Sequence, residues 1–374
     1  MNHNVLILGG GLQALSSAYS LWREGIPVVC LAPQEEEISK SRFIRRFYPS
    51  QKDDIFNQLI SVVELEQVDL IIPMSDAMSE LVSKHKTQLE SEYNCYVPVP
   101  YHEIFIEGAD KEKLMAFCEQ NGFPHPRTRA LDATNIEEAA SYVQFPALIK
   151  PNRSVGARGI KLVHSLDELK REYPHIYKTY GDATLQEYVD SKDAPYYNVM
   201  LYRSKSGQIT GSAIIEILRF YPIKGGSSSL CRTIEEPKLL AICENILHKL
   251  DWEGMADFDV LKAPNGEYKI IEINPRVPAS LRAADIAGVN FPMIMLEEEQ
   301  YPVSYKTNQY LRYFGLDIMW FLSSPNRFKA KPAWILSIGR HVYFQDIYAK
   351  DPSTWFSWLI NGFKRFLHKR KHIQ

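Results

Sequence analysis

Nothing in this 374-residue sequence approaches the roughly 18 uninterrupted apolar residues of a membrane-spanning helix. Its start, MNHNVLILGGG, has neither the charged n-region nor the long apolar run of a signal peptide. Cysteine is scarce: Cys30, Cys95, Cys118, Cys231 and Cys243 are odd in number, scattered and never in a CxxC pair. That argues against a disulfide framework or a thiolate zinc site and for reduced thiols in a cytoplasmic protein. Net charge is lacking too, at a formal -2, so no global pull toward nucleic acid exists and none is expected as a partner. Repeats and low-complexity tracts are missing. What remains, 45% hydrophobic and 24% charged, describes a globular chain long enough for two or three domains.

The chemistry concentrates in two adjacent stretches, GMADFDVL (254–261) and KIIEINPR (269–276). Alternation along a strand puts Phe258 and Val260 on one face and Asp257 and Asp259 on the other. The same alternation sets Ile271 and Ile273 against Glu272 and Asn274. Between the two runs, Asn265-Gly266 is a strong two-residue hairpin signal. Such a turn pairs Asp259 with Glu272 and Asp257 with Asn274, although Pro264 removes one hydrogen bond beside it. Two carboxylates about 5 Å apart at Cβ repel unless a cation lies between them. Hard oxygen ligands at that spacing suit Mg²⁺, which binds through one or two carboxylates plus substrate phosphates. Asn274 adds a neutral oxygen, Pro275 ends the strand, and Arg276 places a fixed cation beyond it. The competing reading is a solvated acidic hairpin face.

Upstream, Val5–Leu8 breaks into Gly9-Gly10-Gly11 and a helical run that stops at Gly25, with a second buried strand over Ile26–Leu31. Gly9, Gly11 and Ala14 fit the GxGxxA dinucleotide fingerprint, yet Leu31-Ala32-Pro33 lacks the acidic residue that would hold a ribose. A helix over Asp53–Glu66, a strand over Val68–Pro73, and Asp76 just past its end complete a small doubly wound domain. Asp110 caps a helix Lys111–Asn121 ended by Gly122, which leaves Lys111 at the end where the helix dipole disfavours a cation. A strand then delivers Lys150 into KPNRSVGARG, a loop whose glycines let backbone amides approach phosphate oxygens. A solvated Lys111 and an ordinary hairpin at 151–159 are the plainer alternatives, and GxxxxGK[ST] is absent. Downstream lie LQEYVD (185–190), strands over Tyr196–Arg203 and Ile209–Ile217, a cationic loop with Arg219 and Lys224, and helices over Pro237–Leu250 and Ser280–Ile286.

The order of these parts over residues 1 to about 300 resembles the ATP-grasp superfamily. GADKEKL, FPALIKPNRSVGARG, LQEYV, GMADFDVL and IIEINPR carry the resemblance. The layout is similar to carbamoyl-phosphate synthase and biotin carboxylase. It is closer to the predicted carboligases that include D-aspartate ligase, where a segment like SRFIRRFYP also follows the second strand. The resemblance implies an α/β chain, α+β in its catalytic part: a Rossmann-like pre-ATP-grasp domain over 1–108, ATP-grasp subdomains over 109–186 and 187–301, and a C-terminal extension over 302–374. It implies that Lys111, Lys150, Ser154, Gly156 and Gly159 contact ATP phosphates. Gln186, Glu187 and Val189 would hold adenine largely through main chain, with Asp193 reaching the ribose. Asp259, Glu272 and Asn274 would carry Mg²⁺ or, in its place, Mn²⁺. An aspartate at 259, where relatives often have glutamate, and a less glycine-rich phosphate loop are departures from the pattern.

The implied activity is an ATP-dependent carboxylate-amine ligase working through an acyl phosphate, with Arg276 and Lys150 as catalytic cations and small-molecule carboxylate and amine substrates. Arg219, Lys224 and Arg282 are candidate substrate-carboxylate anchors. A non-catalytic ATP-binding module and an NAD(P)-binding oxidoreductase are the rival readings. At the C-terminus, Asp351 and Pro352 open a helix with Trp355, Trp358, Leu359, Gly362, Phe363, Phe366 and Leu367 on one face and a cluster of basic residues at its end. That pattern fits docking on the protein's own core or a cytoplasmic enzyme visiting the inner membrane face. An oligomer is compatible with either.

Overall fold

The computed structural model describes residues 3–152, 159–190, 195–223, 226–298, 304–334, 339 and 341–356. Three sheets follow one another along the chain. The first holds β1 (Val5–Leu8), β2 (Val28–Ala32), β3 (Arg46–Pro49) and β4 (Leu70–Pro73) in the order β3-β2-β1-β4, all parallel. β1 and β4 carry only buried residues, as expected of strands covered on both faces. The order of strand addition reverses between β1 and β4, so the crevice at their C-terminal ends is the switch point where open α/β sheets take ligands.

The second sheet contains β5 (Thr128–Leu131), β6 (Ala147–Pro151), β7 (Lys161–Val163) and β8 (Ala183–Glu187), ordered β5-β8-β6-β7 and antiparallel. The third runs β13-β12-β9-β10-β11-β14-β15, from β9 (Tyr196–Arg203), β10 (Ile209–Tyr221), β11 (Ser227–Ile234), β12 (Gly254–Lys262), β13 (Tyr268–Asn274), β14 (Tyr310–Arg312) and β15 (Val342–Phe344). Val199, Leu201, Ala256, Phe258, Val260 and Ile270 on one face of this sheet pack with the helices Lys111–Asn121 and Pro237–Leu250. On the other face, Met200, Tyr202, Ala213 and Ile215 join a core shared with the helix Leu12–Arg23 of the first unit and the helices Leu281–Ala287 and Phe291–Glu297. The polar residues of that same face, next to the shared core, form the site.

The hairpin reaches the expected pairing by an unexpected route. Asp259 is opposite Glu272 and Asp257 opposite Asn274, but Val260 pairs with Ile270, so Ile271 is an extra residue in β13. The loop is also one residue longer than expected: Ala263 N–H bonds Glu267 O at 2.8 Å, enclosing Pro264, Asn265 and Gly266, with Gly266 at φ 89°. Proline has no N–H to close a two-residue turn, so closure moves back to Ala263. Loop and bulge offset each other. In consequence Ile270 and Ile273, not Ile271 and Ile273, form the buried pair.

Beyond residue 304 the chain adds β14 and β15 to the large sheet, and Arg282 helps hold it there. Its guanidinium donates to Ile347 O (3.0 Å) and Phe344 O and lies 3.8 Å from the Tyr348 ring centre. Asp351 is fully buried and accepts from Ser41 Oγ (2.6 Å) and Arg42 N–H (3.2 Å), which docks the start of the C-terminal helix beside the first sheet. The rest of that helix, with its basic cluster, lies outside the described residues. Among the described residues no helix is long and apolar enough to cross a membrane, and all five cysteines are buried and free.

Candidate active site

The acidic face of β13-β12-β9 brings together Asp257 and Asp259, Glu272 and Asn274, and Asn198. Asn274 Nδ2 donates to Asp259 Oδ2 and to Asp257 O, both at 3.3 Å, and Asn198 Nδ2 donates to Asp259 Oδ1. Burial lifts the Asp259 carboxyl well above the carboxylate range, and Glu272 adds to this. Burial also raises Asp257, to about 8, with Arg276 pulling back. Glu272 behaves oppositely. Burial would raise it, yet Lys111, with its Nζ 3.0 Å from Oε2, and the hydrogen bond with Asp259 more than offset this and hold it at about 2.

Lys111 sits in the first turn of its helix behind the Asp110 cap, whose Oδ1 accepts from Glu112 N and Lys113 N at 2.9 and 3.1 Å. Glu272 therefore supplies the negative charge that the helix N-terminus withholds from this lysine. Burial would lower the Lys111 ammonium, and Glu272 reverses the direction. Facing it, β6 delivers Lys150, whose Nζ donates to Gln186 Oε1 at 2.5 Å on β8, while Gln186 Nε2 donates to Thr128 Oγ1 at 3.0 Å on β5. Burial brings the Lys150 ammonium down to about 8, and the nearby Glu272 carboxylate opposes the drop. Two cations from separate elements thus face two carboxylates across the cleft between the sheets.

Arg276 links the units. Its Nε donates to Asp76 Oδ1 at 3.0 Å, at the first helical position after β4, and its Nη2 donates to Asn274 Oδ1 at 3.2 Å. The Asn274 oxygen is therefore turned to Arg276, and only a flip of the amide would offer it to a metal ion. Among the described residues no three acidic, histidine or cysteine side chains converge as a metal cage. The residues present still fit Mg²⁺ joined to nucleotide phosphates, which needs only one or two carboxylates. Asp257 Oδ1 is buried with no partner among the described residues, an acceptor left for a cation or a water.

Other expected site residues fall elsewhere. Gly159, at φ 74°, lies so close to Tyr180 and Pro151 that a Cβ would come within 2.6 and 2.9 Å of them, so the chain entering β7 requires glycine there. Ser154, Gly156, Asp193 and Lys224 lie outside the described residues. In the segment expected to hold adenine, Glu187 N–H is taken by Arg127 O (2.8 Å) and Tyr188 N–H by Pro146 O (3.2 Å), while the Gln186 side chain serves Lys150. Val189 follows, buried. Arg282 is a latch for the C-terminal segment, as described above, and not an anchor open to substrate.

Arg219 is likewise corrected. β10 extends to Tyr221, so this arginine belongs to a strand and not a loop, and it is buried against Asp317 (3.2 Å), with Arg312 on the other side of the same carboxylate at 2.6 Å. Its charge is spent inside the protein. Arg219→Ala leaves Asp317 and Arg312 to rebalance and is expected to lower stability by about 3–5 kcal/mol without altering apparent substrate affinity. Chemical denaturation alongside a turnover assay checks both halves.

Sequence reasoning assigned no role to Asn198 or Thr128 and left Asp257 out of the metal set. Asn198 had a readable signal, as the lone amide within the apolar run YYNVMLY. Asp257 also gives the ligand-free protein a pH signature. Between 3.8 and about 8 the folded state holds a proton the unfolded chain has lost, so through this group stability falls as pH rises across that interval. The opposite contribution of Glu272 is confined below 4.5. Asp257→Asn is expected to flatten the fall, as measured by denaturation at several pH values in chelator.

Residues 208–313 match a family described as ATP-grasp in the biosynthetic pathway with Ter operon. Biotin carboxylase from Campylobacter jejuni, as its beta-gamma-ATP complex, superposes with a TM-score of 0.68 at 17% identity, covering 82% of this chain and 74% of that one. N5-carboxyaminoimidazole synthetase from Staphylococcus aureus, complexed with ADP, gives 0.68 at 16% identity, covering 83% and 81%. With the lysine pair and the acidic hairpin in place, the chain is similar to ATP-grasp enzymes of the carboligase type. Among individual proteins it is similar to D-aspartate ligase from Enterococcus faecium (strain Aus0004), 23% identical over 342 residues that make up 81% of this chain and 79% of that protein. It is also similar to the carbamoyl phosphate synthase large chain, N-terminal section, of Methanopyrus kandleri, 25% identical over 315 residues, and there the match spans 54% of the relative's length.

Proposed function

We propose that this protein is an ATP- and Mg²⁺-dependent carboxylate-amine ligase that works through an acyl phosphate. The observation that carries the reading is the convergence of Lys111 and Lys150 on the Asp259–Glu272 pair, an arrangement suited to a polyphosphate and a cation held between the two sheets. Residues 1–108 act as the Rossmann-like pre-ATP-grasp domain, 109–186 and 187–301 as the grasping subdomains, with Val189 at the adenine hinge. Asp259 and Glu272, with Asp257 or a flipped Asn274, would hold Mg²⁺, which would supply neutralisation of phosphate charge.

A substrate carboxylate oxygen forms a bond to the γ-phosphorus as the bond to the ADP oxygen breaks. Lys150 and Lys111 bear the phosphate charge, and Arg276 stabilises the transferred phosphoryl group and then the carbonyl oxygen as it becomes an oxyanion. The amine nitrogen attacks that carbonyl carbon, inorganic phosphate leaves, and one proton is released from nitrogen. No side chain is needed as nucleophile. The test combines thermal shift with ATP and Mg²⁺, ADP release across pools of amino and carboxylic acids, and hydroxylamine, which converts an acyl phosphate to a hydroxamate. Stabilisation by ATP with neither ADP release nor hydroxamate in any pool would instead favour a binding module.

A further inference from the structure

The glycine turn after β1 opens a twelve-residue helix, Leu12–Arg23, that has no side-chain cap and no acidic residue in its first turn. Its anion comes from another part of the chain. Gly11 N–H donates to Glu36 Oε2 at 2.9 Å, and the Glu36 carboxylate lies so closely over the turn that a Cβ on Gly10 would be 2.3 Å from it. The segment bearing Glu36 is pinned on both sides, by Glu36 N–H to Pro33 O (3.1 Å) and Ser39 N–H to Glu36 O (3.0 Å). On the other side of the turn, Gln13 Nε2 donates to Met74 O at 2.8 Å, bridging to the end of β4. A helix N-terminus behind a glycine turn ordinarily attracts phosphate or carboxylate, and here that position is already filled from within.

We propose that Glu36 is the resident anion of this turn and sets the substrate class of the crevice between β1 and β4. The crevice refuses phosphate esters and dinucleotides and takes a ligand whose group at the turn is neutral or cationic. Glu36 gives the turn side of the crevice mouth negative charge, whereas the half-exposed carboxylate of Asp76 at the same sheet edge is engaged by Arg276. Such a mouth favours an amine that arrives as ammonium and carries no phosphate. That last step rests on the ligase reading, whereas the exclusion of anions by Glu36 does not.

The experiment compares wild type, Glu36→Ala and Glu36→Gln, each with Mg-ADP present to fill the nucleotide cleft. The probe is inorganic phosphate, read by thermal shift and by the amide resonance of Gly11. Wild type is expected to show no response at Gly11. Glu36→Ala, with the turn uncovered, should bind phosphate about tenfold more tightly than wild type and shift the Gly11 resonance. Glu36→Gln, whose carboxamide oxygen still covers the turn, should stay close to wild type and stands in should the alanine variant fail to fold, its Gly11 then remaining silent. Equal phosphate responses at Gly11 in wild type and Glu36→Ala, or a clear response in wild type or Glu36→Gln, overturn the proposal. Loss of the Mg-ADP shift in all three proteins would count against the ATP-dependent reading and leave the result at Gly11 standing.

Discussion

Asp259→Asn and Glu272→Gln are each expected to lower Mg²⁺-dependent ATP turnover by about a thousandfold or more, and to do so without unfolding the protein. The site offers a cation two carboxyl groups at one end of a hairpin, Glu272 already ionised and Asp259 giving up its proton as a cation binds, and each variant removes one of them. Their effects on stability should differ in sign. Asp259 is held well above the carboxylate range by burial and by Glu272, so ionising it works against folding, and asparagine relieves that cost. Glu272 is paired with Lys111, both partly exposed, so glutamine forfeits an ion pair worth about 1 kcal/mol or less. Asp259→Asn should therefore melt at or above the wild-type temperature and Glu272→Gln slightly below it. Melting curves in chelator and phosphate release under a Mg²⁺ titration test the pair. Unchanged turnover in either variant would remove that carboxylate from the metal set.

Arg276→Lys should come next in severity, with kcat lowered about 10²–10³-fold and ATP affinity largely kept. A guanidinium meets Asp76 through Nε and Asn274 through Nη2 at once, which a point-charge ammonium cannot do. Loss of the first contact frees the arginine's position relative to the first unit, and loss of the second frees the Asn274 amide. Asp76→Asn tests the positioning separately. It keeps an acceptor for Nε and should cost much less than Arg276→Lys. A fall in both kcat and ATP affinity to equal degrees would show that Arg276 is holding the cleft together instead of acting on the transferred group.

Much of this was legible in the sequence, for reasons that are local. Asp110 and Gly122 mark the helix that presents Lys111, and the structure keeps both as caps, because capping depends on a few neighbouring residues. The carboxylate pairing was legible because alternation and a turn signal suffice to face Asp259 toward Glu272. The bulge at Ile271 was not, since an extra residue leaves no mark in composition, and it moved the buried isoleucine from 271 to 270. Arg219 misled for a different reason: its partner Asp317 lies 98 positions away, and only the fold reveals that a strand and a later helix meet there. Arg276 was expected to face substrate, and its engagement by Asp76, 200 positions distant, depends on how the first unit sits against the large sheet.

The hairpin's two offsetting irregularities also make its tip a place to write in extra sequence. Pro264, Asn265 and Gly266 are exposed, and register below them is fixed by cross-strand pairing and by the bulge, not by the loop's length. A short peptide tag or a single labelled cysteine inserted between Asn265 and Gly266 adds only loop-closure entropy, which grows slowly with length. It would sit about 20 Å from Asp259 along the strand. Fluorescence transfer from such a label to a nucleotide analogue could then follow occupancy of the cleft in solution, with the carboxylates left in their native pairing.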